Sequence, residues 1–535
     1  MSAAAAPGPA NKRSRWISTG LSLAAGLAAA FAFPPFGVLP GLLGYALLMG
    51  LCDRAEPARP LRGAFWRGWL AGTAFFLVST WWVAEAFYVD AQEQGWMAPI
   101  AVALLAGGLG LFWGAAMALY ARIRPAGATR VLVFAGVFCL LEWLRGHVLT
   151  GFPWDLAGET WPAGSAPSQA ASLVGAYGLS WLTVAASAAP ALLWTGTRRR
   201  SDWAAAGLAV LTVATLYGYG TLRLSRTAPE ASSAVLVRVV QANVDQESKY
   251  DEALFRSILG RYVALTAQPA AHTPDIVIWP EGAIPDSVND YLAPETWTRA
   301  AIADALKPGQ TLLLGGYRFD GTPDQAKAYN SLLALRAGPG GLSLVGTYDK
   351  YRLVPFGEYL PAEGLLAPLG FKKLVHVTDG FDAGPRPRPL AIAGAPPVQP
   401  LICYESLFPG FVREGAARGG RPAWIVNVSN DAWFGKTSGP WQHLNIASYR
   451  AIEEGLPMIR ATPTGVSAVI DAYGRIAPGR RLGQGAFGVI DAPLPPALAP
   501  TPFSRWGEIF FWAFVTLSAA FGRYVRTNRG VTTTL

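Results

Sequence analysis

The stretch that decides the fold is DIVIWPE at residues 275–281, a short apolar run closed by a proline and a glutamate. Four consecutive Ile, Val and Trp residues bounded by turn formers are typical of a buried β-strand. Similar runs recur through residues 231–505, at 234–241, 275–279, 311–315, 331–336, 342–347, 398–403, 424–428 and 466–470. Helical periodicity occurs at 251–267, 295–306, 411–418 and 443–454. Strands that alternate with helices predict one large α/β domain.

Three reactive side chains lie where predicted strands end. Glu281 closes the quoted run, Lys350 follows the strand at 342–347, and Cys403 is the last residue of the strand at 398–403. Binding sites in α/β sheets gather at the carboxyl ends of strands, so we expect a carboxylate, an amine and a thiol in one crevice. Each residue also has a structural interpretation: a turn glutamate, a solvated lysine and a small buried cysteine.

The rest of the chain is strongly apolar. Hydrophobic residues make up 52% of the sequence and charged residues 15%, whereas about 25% charged residues is usual in soluble domains. Apolar runs occur at 16–33, 39–51, 68–84, 96–119, 131–149, 170–194, 203–222 and 506–521. Because a spanning helix needs about 20 apolar residues, we predict a polytopic membrane protein with about eight spans, although the short second run could be re-entrant. The predicted parts are a seven-span membrane domain (1–230), an extramembrane catalytic domain (231–505) and a last span with its tail (506–535).

Basic residues predict the orientation of these spans. If all eight cross, the connections on one side hold basic clusters at 12–15, 54–67, 122–130, 198–200 and 523–529, whereas Arg145 is the basic residue of the opposite short connections. Positive residues are retained in the cytoplasm, so we expect both termini there and residues 231–505 on the outer, periplasmic side. A cleaved signal peptide ending at 30–32 is the alternative for the first run.

Charge, cysteine and histidine usage exclude several classes of protein. The net charge of +9 comes almost wholly from the apolar segments, whereas a nucleic-acid-binding protein carries a basic face on a folded domain. Three cysteines form no disulfide framework. Four histidines, His147, His272, His376 and His443, lack metal-ligand spacing. With no Gly-rich phosphate loop either, we expect neither nucleic acid nor a metal or cofactor.

Three longer motifs carry a resemblance to a known family. The strings IVIWPEGAIP (276–285), YDKYRLVPFGEYLP (348–361) and ICYESLFP (402–409) resemble, in order, the signature regions of the nitrilase or carbon–nitrogen hydrolase superfamily. With spans on both sides of this domain, nearly the whole chain is similar to the apolipoprotein N-acyltransferase family. Further strings that match that family are LEWLRGHVLTGFPW (141–154), VNVSNDAWFG (426–435) and QHLNIASYRAIEEGLPMIRAT (442–462).

The resemblance implies a fold, a location and a reaction. The fold is a nitrilase-like αββα sandwich on a multi-pass protein of the bacterial inner membrane. The reaction moves an acyl chain from a phospholipid donor, through a cysteine thioester, to the N-terminal amine of the diacylglyceryl cysteine of an apolipoprotein acceptor. Both lipidated substrates would reach the site from within the membrane.

The resemblance also implies roles for individual residues. A thiol with an ordinary pKa of about 8.5 needs activation near neutrality, so Glu281 is expected to act as the general base for the nucleophile Cys403. Lys350 would stabilise the oxyanion of each tetrahedral intermediate. As supporting residues, Glu358 would orient the lysine, and the peptide N–H of Tyr404 would be a second oxyanion donor. Glu405 would support the position of the loop.

Two positions depart from the family pattern. Lys249-Tyr250 stands where the family usually has a tryptophan, and Pro463-Thr464-Gly465 stands where asparagine is usual. We expect these departures to affect substrate contacts and not the chemistry. Residues 360–377 combine five large apolar side chains with Lys372 and Lys373, which favours a mobile arm dipping into the outer leaflet over a helix packed on the domain.

Two other functions remain open on the sequence. A membrane-anchored amidase or nitrilase could use the same Glu-Lys-Cys set, although it would need only one anchoring helix. A transporter or lipid-handling protein would place ionisable residues within its spans, and the candidates are Glu85, Glu142 and Arg145. Glu142 and Arg145 are three residues apart and could simply pair with each other.

Overall fold

The computed structural model describes residues 12–54, 59–123, 126–195, 198–226, 235–322, 325–361, 363–366 and 380–531. Its strands are β1 Leu236–Gln241, β2 Ile276–Trp279, β3 Thr311–Asp320, β4 Lys327–Gly338, β5 Gly341–Asp349, β6 Leu390–Ile392, β7 Ala395–Ile402, β8 Trp424–Val428, β9 Met458–Ala461, β10 Ser467–Ile470, β11 Ile476–Leu482 and β12 Gly488–Pro493.

The α-helices fall into two groups along the chain. The first group is α1 Lys12–Phe31, α2 Leu43–Asp53, α3 Pro60–Ser79, α4 Ala84–Tyr88, α5 Ala91–Gln94, α6 Ala98–Ile123, α7 Arg130–Arg145, α8 Ala171–Ala188, α9 Ala191–Thr195 and α10 Arg200–Leu224. The second is α11 Phe255–Ala267, α12 Val288–Tyr291, α13 Trp297–Ala305, α14 Glu363–Leu366, α15 Phe411–Gly419, α16 Gly439–Glu454, α17 Pro502–Trp506 and α18 Ile509–Val531.

The strands form two six-stranded sheets, in the orders β12-β1-β2-β3-β4-β5 and β11-β10-β9-β8-β7-β6. Parallel strands lie in the middle of each sheet, β1-β2-β3 in one and β7-β8-β9 in the other. Antiparallel strands flank them on both sides. The carboxyl ends of β2 and β7, which precede Glu281 and Cys403, are therefore ends of parallel strands in two different sheets.

The side chains of each strand divide between two cores. Ile276 and Ile278 of β2 join Ile402 and Val426 of the other sheet in the layer between the sheets. Val277, from the opposite face of β2, packs with residues of α11 and α13. The outer face of the second sheet packs in turn against residues of α15 and α16. This alternation, which follows from the two-residue period of a strand, builds the four layers of an αββα sandwich and confirms the predicted α/β class.

Each predicted strand is present, but four strands were not predicted: β6, β9, β11 and β12. Strand β9 has four residues and contains Arg460, which is fully buried. A charged residue in so short a run gives no apolar pattern from which a strand could be predicted. Strands β3 and β4 are longer than predicted because they form one antiparallel hairpin that pairs as far as Asp320 and Lys327.

All eight predicted apolar runs overlap helices, but fewer of these helices are long and apolar enough to cross a membrane. Within the described ranges, three helical segments meet that requirement, namely Ala91–Ile123, Pro167–Trp194 and Arg200–Leu224. The pair Pro60–Ser79 and Trp81–Tyr88, bent by 56°, could make a fourth. Leu39–Asp53 and Ile509–Gly522 are apolar but shorter.

Small residues allow the apolar helices to approach one another closely. At the crossing of α3 and α6, a Cβ added to Gly72 would lie 2.9 Å from Cα of Gly110. Close approach through glycine is typical of packed membrane helices. Of the proposed arm at 360–377, the structure describes Leu360, Pro361 and α14 alone, and the remaining residues lie outside the described ranges.

Candidate active site

Cys403 lies at a sharp turn directly after β7. The strand ends at Ile402, and Cys403 begins a 3-10 turn that continues to Leu407. Its φ is +46°, a left-handed conformation that non-glycine residues seldom adopt and that recurs at active sites. The peptide N–H of Ile402 donates to Oε2 of Glu405 at 2.8 Å, and Oγ of Ser406 donates to the carbonyl of Cys403 at 2.8 Å. These bonds hold the turn from both sides.

Glu281 follows β2 and its carboxylate is fixed at both oxygens. Oε2 accepts the peptide N–H of Asn430 at 2.7 Å. Oε1 accepts Nδ2 of Asn330 at 2.6 Å and Nζ of Lys350 at 3.3 Å. Glu281 is buried in this cluster, with 7% of the residue exposed. A glutamate held by three donors from three segments of chain has one defined orientation.

Lys350 lies between two carboxylates. Its Nζ is 3.3 Å from Oε1 of Glu281 and 3.0 Å from Oε1 of Glu358. Burial by itself would lower the pKa of Lys350, but the charges of Glu281 and Glu358 raise it above its ordinary value. Lys350 therefore carries its positive charge throughout the physiological range, as an oxyanion-stabilising residue must.

Asn330 organises the two carboxylates and was not predicted from the sequence. Its side-chain Nδ2 donates to Glu281 and, at 2.7 Å, to Glu358. Its backbone carbonyl accepts the peptide N–H of Lys350 at 2.8 Å. The other oxygen of Glu358 accepts the peptide N–H of Val354 at 2.9 Å. A buried asparagine in the otherwise apolar run of β4 is the only signal in the sequence that could have pointed to it.

The thiol of Cys403 is protonated in the resting site. Burial raises its pKa, the negative charge of Glu281 raises it further, and Lys350 opposes these effects without overcoming them. The same interactions place Cys403, Glu281 and Lys350 in one electrostatic cluster, so the structure brings together the three residues that follow predicted strands. A buried, protonated thiol needs a base before it can act as a nucleophile, and the charges of two carboxylates, Glu281 and Asp431, act on Cys403.

Glu405 and Tyr404 connect the turn Cys403–Leu407, which we call the nucleophile turn, to neighbouring segments of the chain. Besides Ile402, Glu405 accepts the peptide N–H of Tyr351 at 2.7 Å and the hydroxyl of Tyr348 at 3.0 Å. It therefore ties the turn of Cys403 to the segment that carries Lys350. The hydroxyl of Tyr404 donates to the carbonyl of Gly151, in the segment between α7 and α8.

A second buried network contacts the turn at Cys403, and it was also not predicted from the sequence. Nε2 of His443 lies 3.3 Å from the carbonyl of Cys403, and its Nδ1 lies 3.0 Å from Oδ1 of Asp431. Arg460 donates to the other oxygen of Asp431 at 2.7 Å. Burial and Arg460 lower the pKa of His443, so its imidazole is neutral and acts by hydrogen bonding. In the part of the chain that the structure describes, no three His, Cys, Asp or Glu side chains are grouped so as to hold a metal ion.

Comparison with known proteins gives matches along most of the chain. The family profile "Apolipoprotein N-acyltransferase N-terminal domain" matches residues 25–189, and the profile "Carbon-nitrogen hydrolase" matches residues 236–501. A Caulobacter vibrioides protein named apolipoprotein N-acyltransferase is 57% identical over 515 residues, 96% of each chain. One of the same name from Rhodopseudomonas palustris is 37% identical over 507 residues, 92% of each chain. A solved amidase of the nitrilase superfamily from Nesterenkonia AN1 aligns with 50% of this chain and 94% of its own, at 20% identity and a TM-score of 0.33.

Proposed function

The chain belongs to the apolipoprotein N-acyltransferase family, and from this premise we propose that Cys403, Glu281 and Lys350 carry out its acyl transfer. The activity of the family is the N-acylation of apolipoproteins, and it is the function of this chain. The observation that supports the residue assignment is the buried cluster in which Lys350 contacts Glu281 at 3.3 Å and both charges act on the thiol of Cys403.

In the first step the enzyme takes the acyl chain from a phospholipid. Glu281 accepts the thiol proton as the sulfur of Cys403 attacks the ester carbonyl. Lys350 and the peptide N–H of Tyr404 stabilise the oxyanion. The tetrahedral intermediate collapses to a thioester, and the proton passes from Glu281 to the departing alkoxide of the lysophospholipid.

In the second step the acyl chain passes to the acceptor. The α-amine of the diacylglyceryl cysteine of an apolipoprotein attacks the thioester and gives a proton to Glu281. Cys403 leaves as the thiolate and regains that proton, so the product is an amide and the enzyme is restored. Burial of the cluster keeps water from the thioester, which favours transfer over hydrolysis.

The membrane arrangement we infer for this chain has eight spans, both termini in the cytoplasm and residues 231–505 in the periplasm. Its support is that every apolar run overlaps a helix and that eight crossings put all the basic connections on one side. The domain limits that go with it are 1–230, 231–505 and 506–535. In this arrangement the loop at Gly151, which contacts Tyr404, lies at the outer surface beside the site. Lipid substrates would thus arrive close to Cys403.

The test is detection of an acyl adduct on Cys403 by intact-mass analysis after incubation with phospholipid. Wild-type protein should gain the mass of one acyl chain, Cys403→Ala should gain none, and Cys403→Ser should gain little because this base is matched to a thiol. Cys52→Ala and Cys139→Ala are the controls, since both thiols are buried in helices of the apolar part. Wild-type adduct levels in Cys403→Ala would refute the assignment. Hydrolysis of a small amide, without transfer of the acyl chain to an amine acceptor, would instead support the alternative amidase function, which the family assignment does not favour.

A further inference from the structure

A second lysine is buried next to the catalytic carboxylate. Lys249 lies in the 3-10 turn Glu247–Tyr250 that follows β1 and is 6% exposed. Its Nζ donates to Oδ1 of Asn430 at 3.2 Å. A Cβ added to Gly282, the residue after Glu281, would lie 3.6 Å from this Nζ. The ammonium group therefore lies against the chain segment that carries the proposed base.

Asn430 connects Lys249 to Glu281. Its side chain is held at both ends by one turn, because Oδ1 accepts from Lys249 and Nδ2 donates to Oε1 of Gln246 at 2.8 Å. Its peptide N–H is the donor that fixes Oε2 of Glu281 at 2.7 Å. Lys249 and Gln246 thus hold the side chain of the residue whose peptide N–H donates to the Glu281 carboxylate.

Lys249 is a second cation close to Glu281. Glu281 and Glu358 both contact the ammonium of Lys350, and Lys249 also interacts with the charge of Glu281. Two further titratable groups face this cluster: Cys403, on which the charges of Glu281, Lys350 and Asp431 act, and Glu405, on which the charge of Lys350 acts. Asp431 is itself in contact with Arg460 and His443.

The protonation of Lys249 fits this role. Burial lowers its pKa to about 8, and the charge of Glu281 opposes that shift. Lys249 is therefore mainly charged at neutral pH. A buried ammonium that donates to an amide oxygen does little for stability, since a neutral residue would avoid its desolvation.

We propose that Lys249 is a positioning residue for acyl transfer, whose charge lies beside the Glu281 carboxylate and whose bond to Asn430 holds that carboxylate ready to take the Cys403 proton. The proposal rests on the proposed function, because it assigns Lys249 to the base of that reaction.

The test compares the pH dependence of single-turnover acyl-adduct formation in matched variants. Lys249→Met removes the charge, Lys249→Gln removes the charge but keeps a hydrogen-bond donor for Asn430, and Lys249→Arg keeps the charge. Lys327→Met, at an exposed lysine of the same domain, is the control. In Lys249→Met and Lys249→Gln, we expect the acidic limb of the plot of adduct-formation rate against pH to move to higher pH by about one unit or more. In Lys249→Arg and Lys327→Met, this limb should stay where it is in the wild type.

The outcomes separate this proposal from the site assignment. An unshifted acidic limb in either folded neutral variant would overturn the role of Lys249 while leaving the triad intact. Failure of both neutral variants to fold, with a folded Arg variant, would show a structural role and would also overturn it. An adduct that persists in Cys403→Ala would refute the proposed function itself.

Discussion

At the residue scale, the roles of the two glutamates differ although both contact Lys350. Glu281 acts on the thiol of Cys403, whereas the contacts of Glu358 are with Lys350, Asn330 and the peptide N–H of Val354. We therefore expect Glu358 to orient the lysine and Glu281 to move the proton. This distinction follows from the partners of each carboxylate and not from its burial, which is similar.

Substitutions of the three polar residues should slow acyl-adduct formation to different extents. Glu281→Gln removes the base and should cost about 10²–10⁴-fold. Lys350→Met removes oxyanion stabilisation and should cost about 10²–10³-fold. Glu358→Gln should leave a smaller defect, because Lys350 keeps its other carboxylate. Rapid-quench mass analysis of the adduct measures all three, and a Glu358→Gln defect as severe as that of Glu281→Gln would make Glu358 part of the acid–base set.

The protonation of Cys403 in the resting enzyme can be measured directly. Burial and Glu281 raise the pKa of this thiol, so no thiolate should be present at neutral pH. The thiolate ultraviolet absorbance, taken as the difference between wild type and Cys403→Ala, should still be absent at the ordinary thiol pKa of about 8.5. A difference signal at neutral pH would mean that the enzyme rests as a thiolate and that Glu281 is not needed to generate it.

At the scale of elements, α16 joins the sheet that contains β7 to the apolar helices. Every residue of α16 from Gln442 to Glu454 is buried. Arg450 pairs with Glu453 at 2.8 Å and with Glu159, from the segment between α7 and α8, at 3.5 Å. It also donates to the carbonyl of Leu407, at the end of the nucleophile turn, at 2.7 Å. One side chain therefore connects the nucleophile turn, the helix and the membrane part.

Arg450→Met should destabilise the folded protein, because it leaves Glu159 and Glu453 buried without their cation. Breaking a buried ion pair from one side costs about 3–5 kcal/mol, so the thermal unfolding midpoint in detergent should fall clearly. Arg418→Met is the matched control, since the Arg418–Glu414 pair at 3.2 Å is partly exposed and such pairs contribute about 0–1 kcal/mol. Equal shifts in the two variants would contradict the connecting role of Arg450.

At the scale of the whole molecule, the two parts meet through polar contacts close to the site. Nδ2 of Asn445 donates to the carbonyl of Glu159 at 2.8 Å, and Nε1 of Trp154 donates to Gln442 at 3.2 Å. The hydroxyl of Tyr404 reaches Gly151 in the same region. These contacts join the nucleophile turn and α16 to the segment between α7 and α8.

The inferred topology predicts which positions can be labelled from outside the cell membrane. Thr322→Cys, in the catalytic domain, should react with a membrane-impermeant maleimide in intact spheroplasts. Ser201→Cys, beside the basic cluster at 198–200, should react only after permeabilisation. Both positions are exposed in the structure, so access to the reagent alone decides the result. Labelling of Ser201→Cys in intact spheroplasts would contradict the orientation derived from the basic residues.

Local sequence pattern predicted the α/β class of residues 231–505 and the three candidate residues that follow its strands, whereas the αββα layers were implied by the family resemblance. Runs such as DIVIWPE contain both the strand and the residue that follows it, so local periodicity predicted β2 and the place of Glu281. The same held for Lys350 after β5 and Cys403 after β7. Apolar runs and basic connections likewise predicted a helical membrane part without any knowledge of packing.

Tertiary structure alone decided what surrounds those residues. Asn330, Asn430 and Lys249 act on Glu281 from three segments far apart in the sequence, and polar residues in a strand or turn carry no signal of their distant partners. Strand β9 escaped prediction for the same reason, because its buried Arg460 is made tolerable by Asp431 at 2.7 Å. A buried charge or amide depends on compensation across space, whereas a strand depends on its own alternation along the chain.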